Sequence, residues 1–301
     1  MSLLLDDTPN KFTNFVLINT ANSLGSGILF QCNLGNDSKK LLEKEIENNK
    51  TYFILTNAHV IDEYYKEISN IQISFYDNKG ERFYLEEKDI LDVLYADGPI
   101  DIAVLLVIIN EKIELDINTK IKLLDWKSDG IAVKTKGFPG ILQMNREMIP
   151  ITVSGTNQLS YKLSEGVFSY KINNTFHYYD EYVDEDFYGG LSGSPVLIEE
   201  AGIEKLVGMN ESILADSQGA NPFGMINYRS IISILDFLRE VKCLLHEIIN
   251  DSVSFIWVKE IKEEDPILRP NDKIRVDSLS TTKMLNLNKD ISLLVMGSRV
   301  V

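Results

Sequence analysis

The heptapeptide Gly-Gly-Leu-Ser-Gly-Ser-Pro at residues 189–195 places a serine between glycines, shortly before a proline. Glycine at this density is typical of a chain that turns tightly or approaches other backbone closely. Such a loop can present a nucleophile: Ser192 would attack a carbonyl carbon, and the backbone N–H groups of Gly190 and Ser192 would hold the oxyanion that forms. The alternative is a simple Gly/Ser turn between two strands, because such a turn by itself specifies no activity.

A serine nucleophile needs a general base and a group that orients that base. His59 is the candidate base, since it lies in a turn that follows the short apolar segment 52–56. Asp101 is the candidate orienting group. It leads directly into a long apolar segment, and a carboxylate is costly to bury without a hydrogen-bond donor such as a histidine N–H. A histidine satisfied by the backbone and an aspartate that caps a turn are the alternative interpretations of these two residues.

The segments that must position these residues are short, apolar and separated by turn residues, which favours an all-β barrel or sandwich. The length of 301 residues fits two barrel-like halves, which we predict at about 12–125 and 126–230. Apolar residues recur with a helical period from 231 to 249 and predict a helix that packs on the barrels. Residues 250–301 form a C-terminal extension of unknown role. Its strand-like pieces are 253–258, 273–276 and 291–296.

Composition narrows the classes of partner and cofactor. A formal net charge of −15 argues against nucleic acid or an anionic membrane as a partner, because both attract Lys/Arg patches. Two cysteines and three histidines argue against a disulfide framework and a zinc site, and we expect no metal and no cofactor. The N-terminus lacks the basic and apolar regions of a signal peptide, and no apolar stretch approaches the length of a membrane span. We therefore expect a cytoplasmic protein.

The chain order His59, Asp101, Ser192 is that of chymotrypsin. With the segments around these residues, the sequence resembles trypsin-like serine peptidases of the chymotrypsin fold, and among them the bacterial high-temperature-requirement, or Deg-type, branch. The segments that carry the resemblance are Gly-Ser-Gly-Ile at 25–28, Thr-Asn-Ala-His-Val-Ile-Asp at 56–62, Asp-Ile-Ala-Val-Leu at 101–105 and Gly-Leu-Ser-Gly-Ser-Pro at 190–195. The resemblance covers roughly residues 12–245 and implies a chymotrypsin-like double β-barrel with a C-terminal helix.

The resemblance also implies roles for individual residues. His59 would be general base and then general acid, Asp101 would orient it, and Ser192 would be the nucleophile, with the N–H groups of Gly190 and Ser192 as the oxyanion hole. Ser194 is a rival nucleophile, but the family places the nucleophile two residues after the first glycine of this motif.

Substrate preference is also implied by the resemblance. Asp186 lies six residues before Ser192, where trypsin-like enzymes that select Lys or Arg carry an aspartate at the base of the specificity pocket. The alternative is a solvated acidic loop and a preference for small or aliphatic residues. The segment around Asn210, Glu211 and Ser212 resembles a strand that walls this pocket, so these residues are predicted to bind substrate.

Three features depart from the family. Leu191 stands where trypsin-type zymogens have an aspartate, which argues against activation by N-terminal cleavage. Glu211 stands where the family has a small or hydroxyl residue near the aspartate of the triad, and a carboxylate close to Asp101 would raise a pKa. No PDZ module is recognisable after residue 245.

The sequence thus predicts a serine endopeptidase that cleaves polypeptides through an acyl-enzyme and needs no cofactor. The first alternative is a catalytically silent peptide-binding module on the same fold. The second is a latent protease that a protein partner activates, suggested by the missing zymogen device and the C-terminal extension.

Overall fold

The computed structural model describes residues 14–42, 44, 46–115, 117, 119–124, 128–139, 151–158, 166–173, 189–213, 224–258 and 274–275. The predicted all-β class is confirmed, since strands dominate these residues. In chain order the strands are β1 Phe15–Asn19, β2 Leu24–Gln31, β3 Asn33–Leu34, β4 Asn49–Thr56, β5 Gln72–Tyr76, β6 Arg82–Leu85, β7 Ile90–Ala96, β8 Ile102–Asn110, β9 Ala132–Gly137, β10 Ile151–Gln158, β11 Val167–Ile172, β12 Pro195–Glu200, β13 Ile203–Ile213, β14 Met225–Ser230, β15 Leu244–Ile249, β16 Ser252–Trp257 and β17 Ile274–Arg275.

Helices are few and short in the described residues. The α-helices are α1 Asn36–Leu41, α2 Asp62–Tyr65 and α3 Ile231–Glu240, and Ala58–Ile61 and Glu87–Asp89 form 3₁₀ turns. Among the described residues, no helix combines the length and the apolar character needed to cross a membrane.

The first sheet has eight strands in the order β17-β7-β8-β4-β2-β1-β5-β6 and, over the described residues, is open. Its pairings are antiparallel except for β17, which runs parallel to β7. Strand β8 is buried on both faces: alternate side chains enter the core of this sheet, and the others join the core shared with α3 and the second barrel. Burial on both faces explains why its sequence is a continuous apolar run.

The second sheet closes into a six-stranded barrel in the order β10-β11-β14-β13-β12-β9, and all its pairings are antiparallel. Two fully buried tyrosines inside it use their hydroxyl groups. Tyr228 Oη donates to Asn157 Oδ1 over 2.7 Å, and Tyr170 Oη donates to Asn210 Oδ1 over 3.2 Å. The barrel interior therefore contains polar groups that are satisfied by one another.

The predicted helix over 231–249 is wrong in its second half. Helix α3 ends at Glu240, and Lys242 follows with a left-handed φ of 53°. Strand β15 then pairs with β16 as a hairpin, whose turn has Asn250 and Asp251 at φ 49° and 65°. Two adjacent residues with positive φ match the twist of a hairpin, and Asn and Asp adopt this conformation more readily than most residues.

Part of the predicted C-terminal extension 250–301 adds strands to the sheets. Strand β16 pairs parallel to β3, and β17 joins the edge of the first sheet beside β7. These two strands match the pieces predicted at 253–258 and 273–276. The piece predicted at 291–296 lies outside the described residues.

Candidate active site

Ser26 of β2 holds the loop before β12 against the first sheet. Its N–H donates to the carbonyl oxygen of Ser192 over 2.8 Å, and its Oγ donates to the carbonyl oxygen of Gly190 over 2.7 Å. The same hydroxyl accepts the N–H of Phe138 over 3.1 Å. Gly190 and Gly193 take left-handed φ values of 92° and 84°. The glycines thus serve a required backbone path, as the sequence predicts.

The two serines of this loop have different surroundings. Ser192 is half-buried and lies on the wall of a cavity of about 780 Å³. Ser194 is fully buried, and within the described part of the chain its Oγ has no hydrogen-bond partner. The backbone of Ser194 is fixed by its N–H to the Leu191 oxygen over 3.0 Å and by its oxygen to the Asn210 N–H over 2.8 Å. Only Ser192 is therefore open to a substrate in the cavity.

His59 and Asp101 meet because their strands are neighbours. His59 lies in the 3₁₀ turn after β4, Asp101 directly precedes β8, and β4 pairs with β8. Asp101 accepts two hydrogen bonds from His59: Oδ2 lies 2.7 Å from Nδ1 of the ring, and Oδ1 accepts the backbone N–H over 3.0 Å. A proton held on Nδ1 by this carboxylate leaves Nε2 free as a base.

His59 and Ser192 line the same cavity, as do Asp101 and Glu211. Over the residues that the structure describes, no hydrogen bond joins His59 Nε2 to Ser192 Oγ. In proteins without substrate such bonds are often long and tighten when substrate binds. The cavity thus brings the candidate base His59 and the candidate nucleophile Ser192 to one site, without a hydrogen bond between them in the described residues.

The predicted oxyanion donors are Gly190 and Ser192. In the described part of the chain neither amide N–H is bonded to a protein acceptor. An oxyanion hole requires backbone N–H groups that are not already used by the fold. This requirement is met.

Comparisons with known proteins give structural likeness only. No family model matches the sequence, and no curated protein matches it. Human heparin binding protein is 13% identical, with 77% of this chain and 92% of that chain covered and a TM-score of 0.50. A Glu endopeptidase in complex with MPD is 15% identical, with 78% of this chain and 94% of that chain covered and a TM-score of 0.49. Deg5 is 18% identical, with 75% of this chain and 88% of that chain covered and a TM-score of 0.48.

The chain has the double β-barrel fold of trypsin-like serine proteases. Within this trypsin-like fold the second barrel is closed and the first is a half-barrel over the described residues. Similarity at 13% identity establishes the fold alone. Activity depends on the residues of the site, because one fold supports many functions.

Charges around the imidazole set its basicity. Partial burial lowers the pKa of His59, but the hydrogen bond and the charge of Asp101 outweigh it, and the charges of Glu211 and Asp62 act in the same direction. The net effect raises the pKa of His59. For the carboxyl of Glu211, burial acts in the upward direction and raises its pKa. The charge of Arg229 opposes this increase, and the charge of Asp101 adds to it.

We expect His59 to titrate above its ordinary value of 6.5. Because its folded-state pKa exceeds the unfolded value, the protonated pair stabilises the fold fully below pH 6.5, and this stabilisation is lost as pH rises through the folded pKa. NMR titration of the histidine ring protons measures the pKa of His59. His246 is an internal control, because burial and then the charge of Arg239 lower its pKa. A lower midpoint for His59 than for His246 would contradict the assignment.

The residues predicted to bind substrate are placed differently from one another. The Asn210 amide is buried in the barrel, where Nδ2 donates to Thr135 Oγ1 over 2.8 Å and Oδ1 accepts from Tyr170. Ser212 is exposed at the cavity, and its Oγ accepts from Asn227 Nδ2 over 3.0 Å. Glu211 lines the cavity together with His59 and Asp101. Asp186 lies outside the described residues, so its role in specificity stays a prediction.

One residue near the site was not predicted from the sequence. Arg229 of β14 is 2% exposed, and its Nη2 lies 3.0 Å from Glu211 Oε2 and 2.6 Å from the carbonyl oxygen of Pro99. In a sequence, an arginine can be assigned to a site only when its neighbours in the fold are known. Neither β14 nor the segment before Asp101 carries a motif that pairs them.

Proposed function

We propose that the chain is a serine endopeptidase that hydrolyses peptide bonds through an acyl-enzyme. The observation that carries this proposal is the double hydrogen bond from His59 to Asp101, with Ser192 on the same cavity wall. A structural histidine has no need of a carboxylate that fixes both its backbone and its ring. A base that must present Nε2 in one orientation does need such a partner.

The proposed reaction uses only side chains and backbone of this site. Ser192 Oγ attacks the carbonyl carbon of the scissile bond while His59 Nε2 takes the hydroxyl proton, and Asp101 stabilises the imidazolium that forms. The Gly190 and Ser192 N–H groups stabilise the oxyanion. His59 then protonates the leaving amine, which departs. Water attacks the acyl group, gives one proton to His59, and the collapse of the second intermediate releases the carboxylic acid and returns that proton to Ser192.

A fluorophosphonate probe tests this function. We expect the probe to label the wild-type chain on Ser192, and Ser192→Ala to abolish labelling. His59→Ala should slow labelling by at least about 10³-fold, because the serine loses its base. Labelling is measured by intact mass and located by peptide mapping.

Ser194→Ala is the matched control for the labelling experiment. It removes a buried hydroxyl that has no partner in the described part of the chain, so folding and labelling should both be retained. Label on Ser194, or labelling that survives Ser192→Ala, would contradict the assignment.

A second candidate is a latent protease that a protein partner activates. It is favoured by the His59–Ser192 pair, which is not hydrogen-bonded in the described residues. A partner or a bound polypeptide would then close the pair. Slow labelling that accelerates when an unfolded polypeptide or a partner is added would support latency, and rapid labelling of the isolated chain would contradict it. Peptide binding with no labelling under any condition would instead indicate a silent binding module.

A further inference from the structure

An ion pair beside the cavity has no part in the proposed reaction. Arg229 Nη2 lies 3.0 Å from Oε2 of Glu211 and donates to its Oε1 over 3.1 Å. Both side chains are largely buried, at 2% and 17% exposure. Glu211 lies where β13 shifts register against β14, at an irregularity between Asn210 and Ser212. The pair therefore sits at a distorted point of the closed barrel, on the side that faces the first sheet.

The same guanidinium also contacts the first sheet. Arg229 Nη2 donates to the carbonyl oxygen of Pro99 over 2.6 Å, two residues before Asp101. Asp101 itself has a left-handed φ of 47°, a conformation that persists only where the surroundings hold it. On its other side, Asn57 Nδ2 donates to the Asp101 carbonyl oxygen over 3.1 Å. Two side-chain donors thus hold this short segment at both ends.

The geometry of Asp101 leaves little freedom for this segment. Its two carboxylate oxygens accept separate N–H groups of His59, one on the backbone and one on the ring. A shift of the backbone from 99 to 101 would lengthen at least one of these hydrogen bonds. The contact from Arg229 to Pro99 is therefore coupled to the orientation of the imidazole.

We propose that Arg229, held in place by Glu211, is a positioning residue that fixes the Pro99–Asp101 segment so that Asp101 can orient His59. The importance of this orientation for turnover rests on the proposed function. The hydrogen bond between Asp101 and His59 is independent of the proposed function, because it is a property of the folded chain. The arrangement joins a triad residue of one barrel to a strand of the other through a single side chain.

The alternative role for Arg229 is that of a counter-ion to Glu211. The carboxylates of Asp101, Glu211 and Asp62 all act on His59, and Lys66 lines the same cavity. Arg229 could serve only as the counter-ion that lets Glu211 be buried among these charges. In that case, neutralising Glu211 would make Arg229 dispensable. If Arg229 positions the segment, it remains necessary when Glu211 carries no charge.

The double variant Glu211→Gln/Arg229→Met distinguishes the two roles, with Glu211→Gln as the single comparison. Two quantities are measured: the low-field ¹H NMR resonance of the His59 Nδ1–H, which reports its bond to Asp101, and kcat and KM. We expect Glu211→Gln to retain the resonance and to titrate His59 at lower pH than wild type. We expect the double variant to lose the resonance and to lower kcat by about 10- to 100-fold with KM little changed.

Lys136→Met/Glu204→Gln is the matched control, because it removes a largely buried lysine from another ion pair of the barrel that does not line the cavity. It should leave the resonance and kcat unchanged. If the double variant at 211 and 229 keeps both, Arg229 is only a counter-ion and the proposal is overturned. If that variant does not fold, Arg229→Lys is used instead, because it keeps the positive charge on a shorter side chain. A wild-type His59 Nδ1–H resonance in Arg229→Lys would equally overturn the proposal. Absence of turnover in the wild type would contradict the proposed function, while the resonance still decides the role of Arg229.

Discussion

Replacing Asp101 with asparagine is expected to lower kcat by about 10⁴-fold while the chain remains folded. In the wild type both carboxylate oxygens accept from His59, Oδ1 from the backbone N–H over 3.0 Å and Oδ2 from the ring Nδ1 at 2.7 Å. A carboxamide has one acceptor oxygen, and its other terminal atom is an NH₂ nitrogen that only donates. If its oxygen keeps the backbone N–H, its NH₂ faces Nδ1 and favours the tautomer protonated on Nε2. That tautomer cannot take a proton from Ser192.

The measurement is the steady-state rate on a chromogenic peptide or ester, together with the rate of fluorophosphonate labelling. Asp97→Asn is the matched control: Asp97 lines the same cavity four residues earlier, whereas the backbone N–H and the ring Nδ1 of His59 are bonded to Asp101. It should change kcat by less than about 10-fold. An Asp101→Asn variant with nearly wild-type kcat would show that Asp101 does not orient a catalytic base.

Titration gives an independent check on the same variant. The hydrogen bond and the charge of Asp101 are the main influences that raise the pKa of His59. Without that charge, the remaining burial should bring the midpoint below the wild-type value. A midpoint that does not move would mean that the imidazole and Asp101 are not paired in solution.

Most strands could be predicted from the sequence because each apolar segment is short and ends at turn residues. Strand β7 could not, although Ile90–Ala96 is entirely buried. Asp92 interrupts its apolar run. One oxygen of this carboxylate is bonded locally, since Oδ1 accepts the Val93 N–H over 2.9 Å beside a register shift. A polar residue that is paired at a bulge looks, in the sequence, like the end of a strand.

The helix prediction failed after Glu240 for a different reason. Leu245 and Ile248 fit the helical period of the residues before them, yet on β15 they are exposed. Periodicity shows which residues are apolar but not which backbone groups will pair. Here β15 pairs with β16, and β16 pairs with β3 from the other end of the folded chain. Those pairings are invisible to a local pattern.

The candidate site likewise contains residues that could be predicted from the sequence and a contact that could not. His59 and Asp101 could be proposed because each stands at the end of a recognisable segment, and the structure brings them into contact. The link from Arg229 to Pro99 could not be proposed. It depends on the register of β13 and β14 at a bulge and on a loop of the other sheet. Local patterns identify residue types for chemistry, whereas the contacts that hold them arise from distant registers.

The glycine after the proposed nucleophile is expected to tolerate no side chain. Gly193 has φ 84°, and a Cβ there would lie 1.9 Å from the Ser26 oxygen and 2.5 Å from Thr56 Oγ1. Neither atom can yield easily: Ser26 is paired backbone of β2, and Thr56 Oγ1 donates to that same oxygen over 2.7 Å. We expect Gly193→Ala to lower the free energy of unfolding by about 4 kcal/mol, from left-handed strain plus overpacking.

Gly202→Ala isolates the strain from the clash. Gly202 lies in the turn between β12 and β13 at φ 77°, and a Cβ there would meet nothing within 4 Å. It should cost only about 1–2 kcal/mol. Both variants are compared by urea unfolding in a Ser192→Ala background, which prevents self-digestion. A larger loss for Gly193→Ala is required if the loop of Ser192 is seated on Ser26. Equal losses would mean that the loop can move away from β2, and that the oxyanion donors are not fixed by this contact.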